Sequence, residues 1–330
     1  MPHFPPPPKL PPQMARFQRV PPAIFPPVLG LLGLVSAWGH ATRVFSLPTA
    51  PVELATGAVT LLFAFCTIAY ISKLMHRPGV VVEDLRTLPG RTGLAAWCIA
   101  MIVQAALLAA LSPVVAKVLI GIGGVSLLAI ALFVLPLRLR GTDTAGPITP
   151  AMHLVFVGFI LIPGAAMPVK MGTDAMPWLI WYCTAAGLFI TALTIRPLLF
   201  GEGAPPLRPL QAIQLAPASF VAIGAMLTEQ FAMAGFALAW ATLVAVLLLF
   251  RLRWLMEGGF SGFWSAFTFP VTALAGACLL CSEAFGLDSF RVAGGVILVA
   301  TTLYIPVIAY KILKLWSNGT LGAKTNAAIA

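Results

Sequence analysis

The chain alternates ten apolar runs of roughly 20 residues with short polar breaks, and this alternation constrains its fold most. Each run is about as long as an α-helix must be to cross the ~30 Å hydrocarbon core of a bilayer. Only 9% of the residues are charged, whereas a soluble domain needs about 25%. The pattern therefore predicts an all-α, multi-pass membrane protein. The predicted spans are residues 24–45, 51–74, 91–111, 114–136, 149–169, 176–197, 209–228, 231–250, 260–283 and 292–314.

Lysine and arginine are distributed unequally between the two sides of this ten-span arrangement. Sixteen of the 20 lie on the side of the N-terminus, and the other side has only Arg43, Lys117, Lys170 and Arg291. Because basic residues are retained on the cytoplasmic side, the asymmetry predicts that both termini are cytoplasmic. The basic residues lie in short loops, not in a patch interleaved with aromatics, so the net charge of +10 does not indicate a nucleic-acid partner.

Three regions follow from this reading. Residues 1–22 are rich in proline and lack an apolar core, which predicts a disordered cytoplasmic tail and not a signal peptide. Residues 23–316 form the transmembrane domain, and residues 317–330 a cytoplasmic C-terminal tail.

The odd-numbered runs begin about 60 residues apart and all cross in the same direction. They also hold most of the helix-breaking and small residues, whereas the even-numbered runs are smoother. Broken helices are tolerated only where protein or a water-filled cavity surrounds them. We therefore predict five parallel helical hairpins, with five kinked helices in an inner ring around a pore and five helices in an outer ring facing lipid.

The interiors of the odd-numbered runs lack Asp and Glu. A cation pathway or a proton-coupled pump usually needs a buried carboxylate, so this composition favours anions as the conducted species. A packed bundle with no conduit is the alternative that the composition leaves open.

The string 263-FWSAFTFP-270 opens the ninth run. At 1.5 Å per residue from position 260, Phe269 lies about 13 Å into the membrane, close to its midplane. Pro270 removes a backbone hydrogen bond and is expected to kink the helix there, which can turn the preceding aromatic toward the axis. The alternative is that Phe267 and Phe269 are ordinary core or lipid-facing aromatics.

No residue set predicts a cofactor, a metal or an enzyme. His40 and His153 lie toward opposite faces of the membrane, so they cannot share a haem or a metal ion. Cys278 and Cys281 form a single C-x-x-C within a span and lack the second pair of a zinc site. The chain contains no phosphate-binding G-x-x-x-x-G-K-[ST] motif.

The string W-S-A-F-T-F-P at Trp264–Pro270 and the string 215-LAPASF-220 give the chain a family resemblance. Together with ten helices in five parallel hairpins, they resemble the tellurite-resistance/dicarboxylate transporter (TDT) family, which includes TehA and plant slow anion channel homologues. The resemblance covers residues 22–316.

The resemblance implies a homotrimer in a bacterial inner membrane, each protomer having its own pore closed by a phenylalanine. By motif position that gate is Phe269, with Phe267 as second choice. The implied substrates are small anions such as chloride and nitrate, C4-dicarboxylates, or tellurite or sulfite for efflux. The predicted pore-lining residues are Gly30, Gly33, Pro163, Pro217, Ser219, Phe220, Gly224 and Pro270.

Two other functions remain open from the sequence. A ten-helix drug/metabolite exporter would have two halves related as inverted repeats, and not odd-numbered helices that are broken throughout. A membrane enzyme would need clustered His, Asp or Glu at one membrane face.

Overall fold

The computed structural model describes residues 17–141 and 148–330. This part of the chain is helical and contains no β-strand. Its α-helices are α1 (Phe25–Val44), α2 (Ala50–His76), α3 (Val80–Arg86), α4 (Leu88–Leu108), α5 (Pro113–Leu139), α6 (Met152–Phe156), α7 (Ile162–Ala166), α8 (Met176–Thr194), α9 (Arg196–Phe200), α10 (Leu215–Leu227), α11 (Phe231–Phe250), α12 (Leu252–Met256), α13 (Phe269–Phe285), α14 (Asp288–Ser317) and α15 (Thr320–Lys324). Short 3-10 helices lie at Pro22–Ile24, Gly158–Leu161, Thr173–Ala175, Pro205–Gln214 and Gly262–Phe267.

Within the described residues, nine helical stretches are long and apolar enough to cross a membrane, where the sequence predicts ten. They contain α1, α2, α4, α5, α8, α10, α11, α13 and α14, several of them extended by an adjoining 3-10 turn. Each corresponds to one of the predicted runs. The described part of the chain is therefore all-helical and has the helices that a multi-pass membrane protein needs.

The remaining predicted span, residues 149–169, which is the fifth along the chain, is not one continuous helix. It consists of α6, a 3-10 turn at Gly158–Leu161 and α7. Pro163 at the start of α7 cannot donate a backbone hydrogen bond to the preceding turn, so an unbroken α-helix is disfavoured there. We call residues 152–166 the broken segment.

Burial separates the spanning stretches into two groups. In the most apolar part of the stretches that contain α1, α4, α10 and α13, 72–78% of the residues are buried. In those that contain α2, α5, α8, α11 and α14, only 22–39% are buried. The second group exposes large apolar side chains such as Leu54, Val125 and Leu303, which suits contact with lipid.

The buried stretches contact one another in a closed circuit. α1 packs against both α4 and α13, and α13 packs against α10. The broken segment completes the circuit, since its 3-10 turn and α7 contact both α4 and α10.

At Pro217 and Pro270 the helical stretch changes type, from a 3-10 helix before the proline to an α-helix that contains it. Pro270 is in the first turn of α13, and the residues before it form the 3-10 helix Gly262–Phe267. Pro217 likewise lies in the first turn of α10, after the 3-10 helix Pro205–Gln214. Proline suits a first turn because the backbone N–H groups there have no intrahelical acceptor. In both segments the proline thus lies in the first turn of the α-helical part of a longer helical stretch.

The two predicted tails are only partly described. Residues 1–16 of the proline-rich tail, like the loop residues 142–147, lie outside the described residues. At the other end of that tail Val20 is buried. The C-terminal region contains α15, and Leu321 within it is buried.

Gly93 provides a stability test of the contact between α4 and the chain before α1. A Cβ at this position would overlap the backbone carbonyl of Pro22, which cannot rotate away as a side chain can. Overpacking of this kind costs about 1–3 kcal/mol, so we expect Gly93→Ala to lower the thermal unfolding temperature in detergent. Gly121→Ala in α5 is the control, because nothing lies within 4 Å of a Cβ added there. Equal unfolding temperatures for the two variants would contradict this packing.

Candidate functional site

A cavity of about 290 Å³ lies where the five buried segments begin. We call it the amino-end cavity, because Pro26 of α1, Thr92 of α4 and Leu154 of α6 line it from within the first five residues of their helices. Ile213 and Phe263 line it from the 3-10 turns that precede α10 and α13. A space of this size accommodates several water molecules.

A second cavity of about 290 Å³ lies beyond it. We call it the carboxyl-end cavity, because later residues of the same segments line it. They include Gly33 of α1, Val103 of α4, Gly164 of α7, Gly224 of α10 and Gly276 of α13. Since the same five segments enter at one cavity and leave at the other, they run in the same direction.

Phe269 lies between the two cavities. Its side chain is buried and borders both of them. The ring stacks on Phe220 of α10, with ring centroids 4.9 Å apart and planes inclined by 25°. Phe220 itself borders the carboxyl-end cavity. The Phe269 ring therefore lies between the two cavities, with Phe220 stacked on it.

Gly33 on the neighbouring helix α1 and Thr272 on α13 itself fix the position of the Phe269 ring. A Cβ at Gly33 would lie 2.6 Å from Cδ2 of Phe269 and 2.5 Å from Oγ1 of Thr272, so only glycine leaves room for the ring. One turn along α13, the Thr272 hydroxyl donates a hydrogen bond to the Phe269 carbonyl at 2.8 Å. The backbone that carries the ring is thus held where α13 begins.

Phe267, the second-choice gate, is located differently. It ends the 3-10 helix before α13, and its ring meets Trp264 edge to face with centroids 5.7 Å apart. Its carbonyl accepts a hydrogen bond from the Tyr304 hydroxyl at 2.8 Å, which ties this turn to α14. The Phe267 side chain is not part of the wall of either cavity.

The other predicted lining residues divide into two groups. Gly33, Phe220 and Gly224 line the carboxyl-end cavity, Pro270 lines the amino-end cavity, and Pro217 lines a space of about 20 Å³ beside Phe220 and Phe269.

Gly30, Pro163 and Ser219 are used in helix packing instead. A Cβ at Gly30 would overlap the Thr268 side chain, so this glycine permits the close approach of α1 to the start of α13. Ser219 is buried and donates its hydroxyl to the Leu215 carbonyl within α10. Pro163 is buried at the start of α7.

The charged side chains on the walls of the two cavities are all basic or histidine. Lys324 of α15 lines the amino-end cavity, and His40 and Arg43 of α1 line the carboxyl-end cavity. In the described part of the chain, the walls contain no carboxylate. The electrostatic environment of both cavities therefore disfavours cations.

The described residues contain no group of three or more His, Cys, Asp or Glu side chains that could hold a metal ion. Sequence reasoning assigned no function to His40, Arg43 or Lys324. The helical spacing of the sequence could have identified His40 and Arg43. Residues 33, 36, 40 and 43 share one helix face, so these two side chains lie on the same face as Gly33, which was predicted to line the pore.

Comparison with known families gives a match along most of the chain. Residues 19–313 match the family described as voltage-dependent anion channel (SLAC1). This range contains all five buried segments and both phenylalanines of the stack. No curated protein matches the chain.

Proposed function

The chain belongs to the voltage-dependent anion channel family, and from this premise we propose that its conduit joins the amino-end and carboxyl-end cavities and conducts anions passively. Membership in a channel family makes it a transporter and not an enzyme. The inner ring of the proposed conduit consists of α1, α4, the broken segment, α10 and α13. The broken segment then brings the number of spans to ten, and each of these five inner segments forms a hairpin with the following outer helix, all five hairpins running in parallel.

The observation that carries this proposal is the absence of carboxylates from the described walls of both cavities, together with the basic residues that line them. An anion that enters either cavity meets no like charge. A cation meets Lys324 on one side of Phe269 and Arg43 on the other.

We propose Phe269 as the gate. A phenyl ring between two cavities that each hold several water molecules blocks ions sterically and by dewetting. Phe220 is the second ring of this closure, since it stacks on Phe269 from α10.

The proposed setting is a bacterial inner membrane with both termini in the cytoplasm, which makes the amino-end cavity the cytoplasmic one. A negative-inside potential favours anion exit by about 2.3 kcal/mol per charge per 100 mV, so efflux is the expected direction. We also propose a homotrimer in the lipid bilayer, which a mass measurement on the detergent-solubilised protein tests.

The proposed substrates are small monovalent anions or C4-dicarboxylates, with tellurite or sulfite as efflux substrates. The uniform parallel direction of the inner segments is unlike the inverted halves expected of a ten-helix exporter.

Reversal potentials test the choice of anions over cations. Purified wild-type and Phe269→Ala proteins are recorded in planar bilayers under a potassium chloride gradient. We expect the current to reverse near the chloride equilibrium potential, because the cavity walls repel potassium. Replacing chloride by nitrate and by malate then ranks the substrates. Reversal near the potassium equilibrium potential would overturn the proposal.

A further inference from the structure

The face of α1 that lines the conduit changes from apolar to polar at the depth of Phe269. On the amino-end side it presents Pro26 and Leu29. On the carboxyl-end side it presents Ser36, His40 and Arg43. The spacing of these three residues places them on successive turns of one helix face, so they form a row of polar groups along the cavity wall.

The contact between His40 and Arg43 fixes the direction of the imidazole donor. Arg43 Nη2 lies 3.3 Å from His40 Nδ1. A guanidinium group can only donate, so Nδ1 is the acceptor and the neutral imidazole carries its proton on Nε2. His40 therefore offers an N–H donor in a cavity that also contains the Arg43 charge.

The surroundings of this donor leave space for a ligand. Gly276 of α13 faces the imidazole, and a Cβ there would lie 3.4 Å from His40 Cδ2 and 4.0 Å from Nε2. Ser36 lies one turn deeper on the same wall, and among the described residues its hydroxyl makes no hydrogen bond. The Thr272 hydroxyl in the same wall is already donated to the Phe269 carbonyl.

Arg43 is also exceptional for its side of the membrane. It is one of only four basic residues predicted on that side, and the only one of the four in the wall of the carboxyl-end cavity. The distribution of basic residues across the membrane favours few of them there. Arg43 thus lies in the cavity wall on the side of the membrane where the chain has few basic residues.

We propose that Ser36, His40 and Arg43 form a binding site for a small inorganic anion in the carboxyl-end cavity. The hydroxyl and the imidazole N–H donate hydrogen bonds to the anion, and the guanidinium supplies its countercharge. One cationic group suits a monovalent anion. This inference rests on the proposed function and adds a place where the conducted anion pauses after passing Phe269.

The contribution of Arg43 to anion binding depends on ionic strength. Arg43 is exposed, so its attraction for an anion at about 4 Å is worth roughly fivefold in binding when salt is low. At about 1 M salt the screening length falls to about 3 Å, and this contribution largely disappears.

Conductance at low chloride tests the site in the Phe269→Ala background, in which the gate is removed. Adding Arg43→Gln is expected to reduce the current about fivefold at about 0.01 M chloride and to change it little at about 1 M. Arg43→Lys keeps the charge and should retain most of the current. His40→Leu should also reduce the current, and His40→Gln, which restores a donor, should recover part of it.

Arg291→Gln is the matched control. Arg291 is exposed on the same predicted side and pairs with Asp288 at 3.3 Å, but it is not in the cavity wall. We expect it to leave the low-chloride current unchanged. Equal currents in the Arg43→Gln and Arg291→Gln proteins would overturn the site while leaving the anion channel intact. A Phe269→Ala protein that carries only cation current would overturn the proposed function itself.

Crystals of the wild-type protein soaked in bromide give a readout that does not depend on transport. The expected result is an anomalous peak within hydrogen-bonding distance of His40 Nε2 and beside the Arg43 guanidinium, and its loss in Arg43→Gln crystals. A carboxyl-end cavity without bromide in the wild type, or a peak that persists in the variant, would overturn the assignment.

Discussion

Replacing Phe269 with alanine is expected to raise the anion current by at least about tenfold. An anion that passes a closed phenyl constriction must shed water in an apolar space, at a cost of several kcal/mol, and each 1.4 kcal/mol removed is a factor of ten in rate. Alanine removes the ring that borders both cavities and so joins them into one water-filled path. The measurement is single-channel or macroscopic current in planar bilayers at matched protein density.

Three further variants make this result specific. Phe220→Ala removes the stacking partner but leaves the Phe269 ring, so a smaller increase is expected. Phe267→Ala should leave the current unchanged, because this side chain lies outside the cavity walls. Phe189→Ala removes an exposed ring on α8 and controls for the loss of a phenyl group in general. A larger current in the Phe267→Ala protein, without a larger current in the Phe269→Ala protein, would identify Phe267 as the gate.

Much of the helical arrangement could be predicted because hydropathy reports directly on the bilayer. The runs that became α2, α5, α11 and α14 are continuous apolar stretches whose length alone defines them. The breaks were harder to predict. A proline in the sequence signals a lost hydrogen bond, but it does not show that the helix changes from 3-10 to α just before it, as it does at Pro270.

The site shows the same division between local and long-range information. Phe269 was identifiable from its depth and from the following proline, which are both local properties. Its stacking on Phe220 joins residues 49 positions apart by number, and no periodicity encodes that contact. The pairing of His40 with Arg43 is local, yet the helix face that meets the cavity is fixed only by how α1 packs against α4 and α13.

A buried ion pair outside the conduit was also beyond the reach of the sequence. Lys73, near the end of α2, lies 2.7 Å from Asp84 of α3, and both side chains are fully buried. Asp84 also accepts hydrogen bonds from the Tyr70 hydroxyl and from the backbone N–H of Ala328, both at 2.9 Å. Lys73 in turn donates to the Val20 carbonyl at 3.1 Å. This carboxylate thus connects the start of the described chain, two helices and the C-terminal region.

Replacing Asp84 with alanine is expected to destabilise the protein by about 3–5 kcal/mol, because it leaves the Lys73 ammonium buried without a countercharge. The measurement is unfolding in detergent, followed by heat or by denaturant. The double variant Asp84→Leu/Lys73→Met removes both charges and should be less destabilised than Asp84→Ala alone, since the penalty comes from the unpaired charge. Glu83→Gln breaks the neighbouring Arg77–Glu83 pair, whose side chains are 46% and 44% exposed, and should cost at most about 1 kcal/mol. If Asp84→Ala were no more destabilising than Glu83→Gln, the buried pair would not be what joins these four segments.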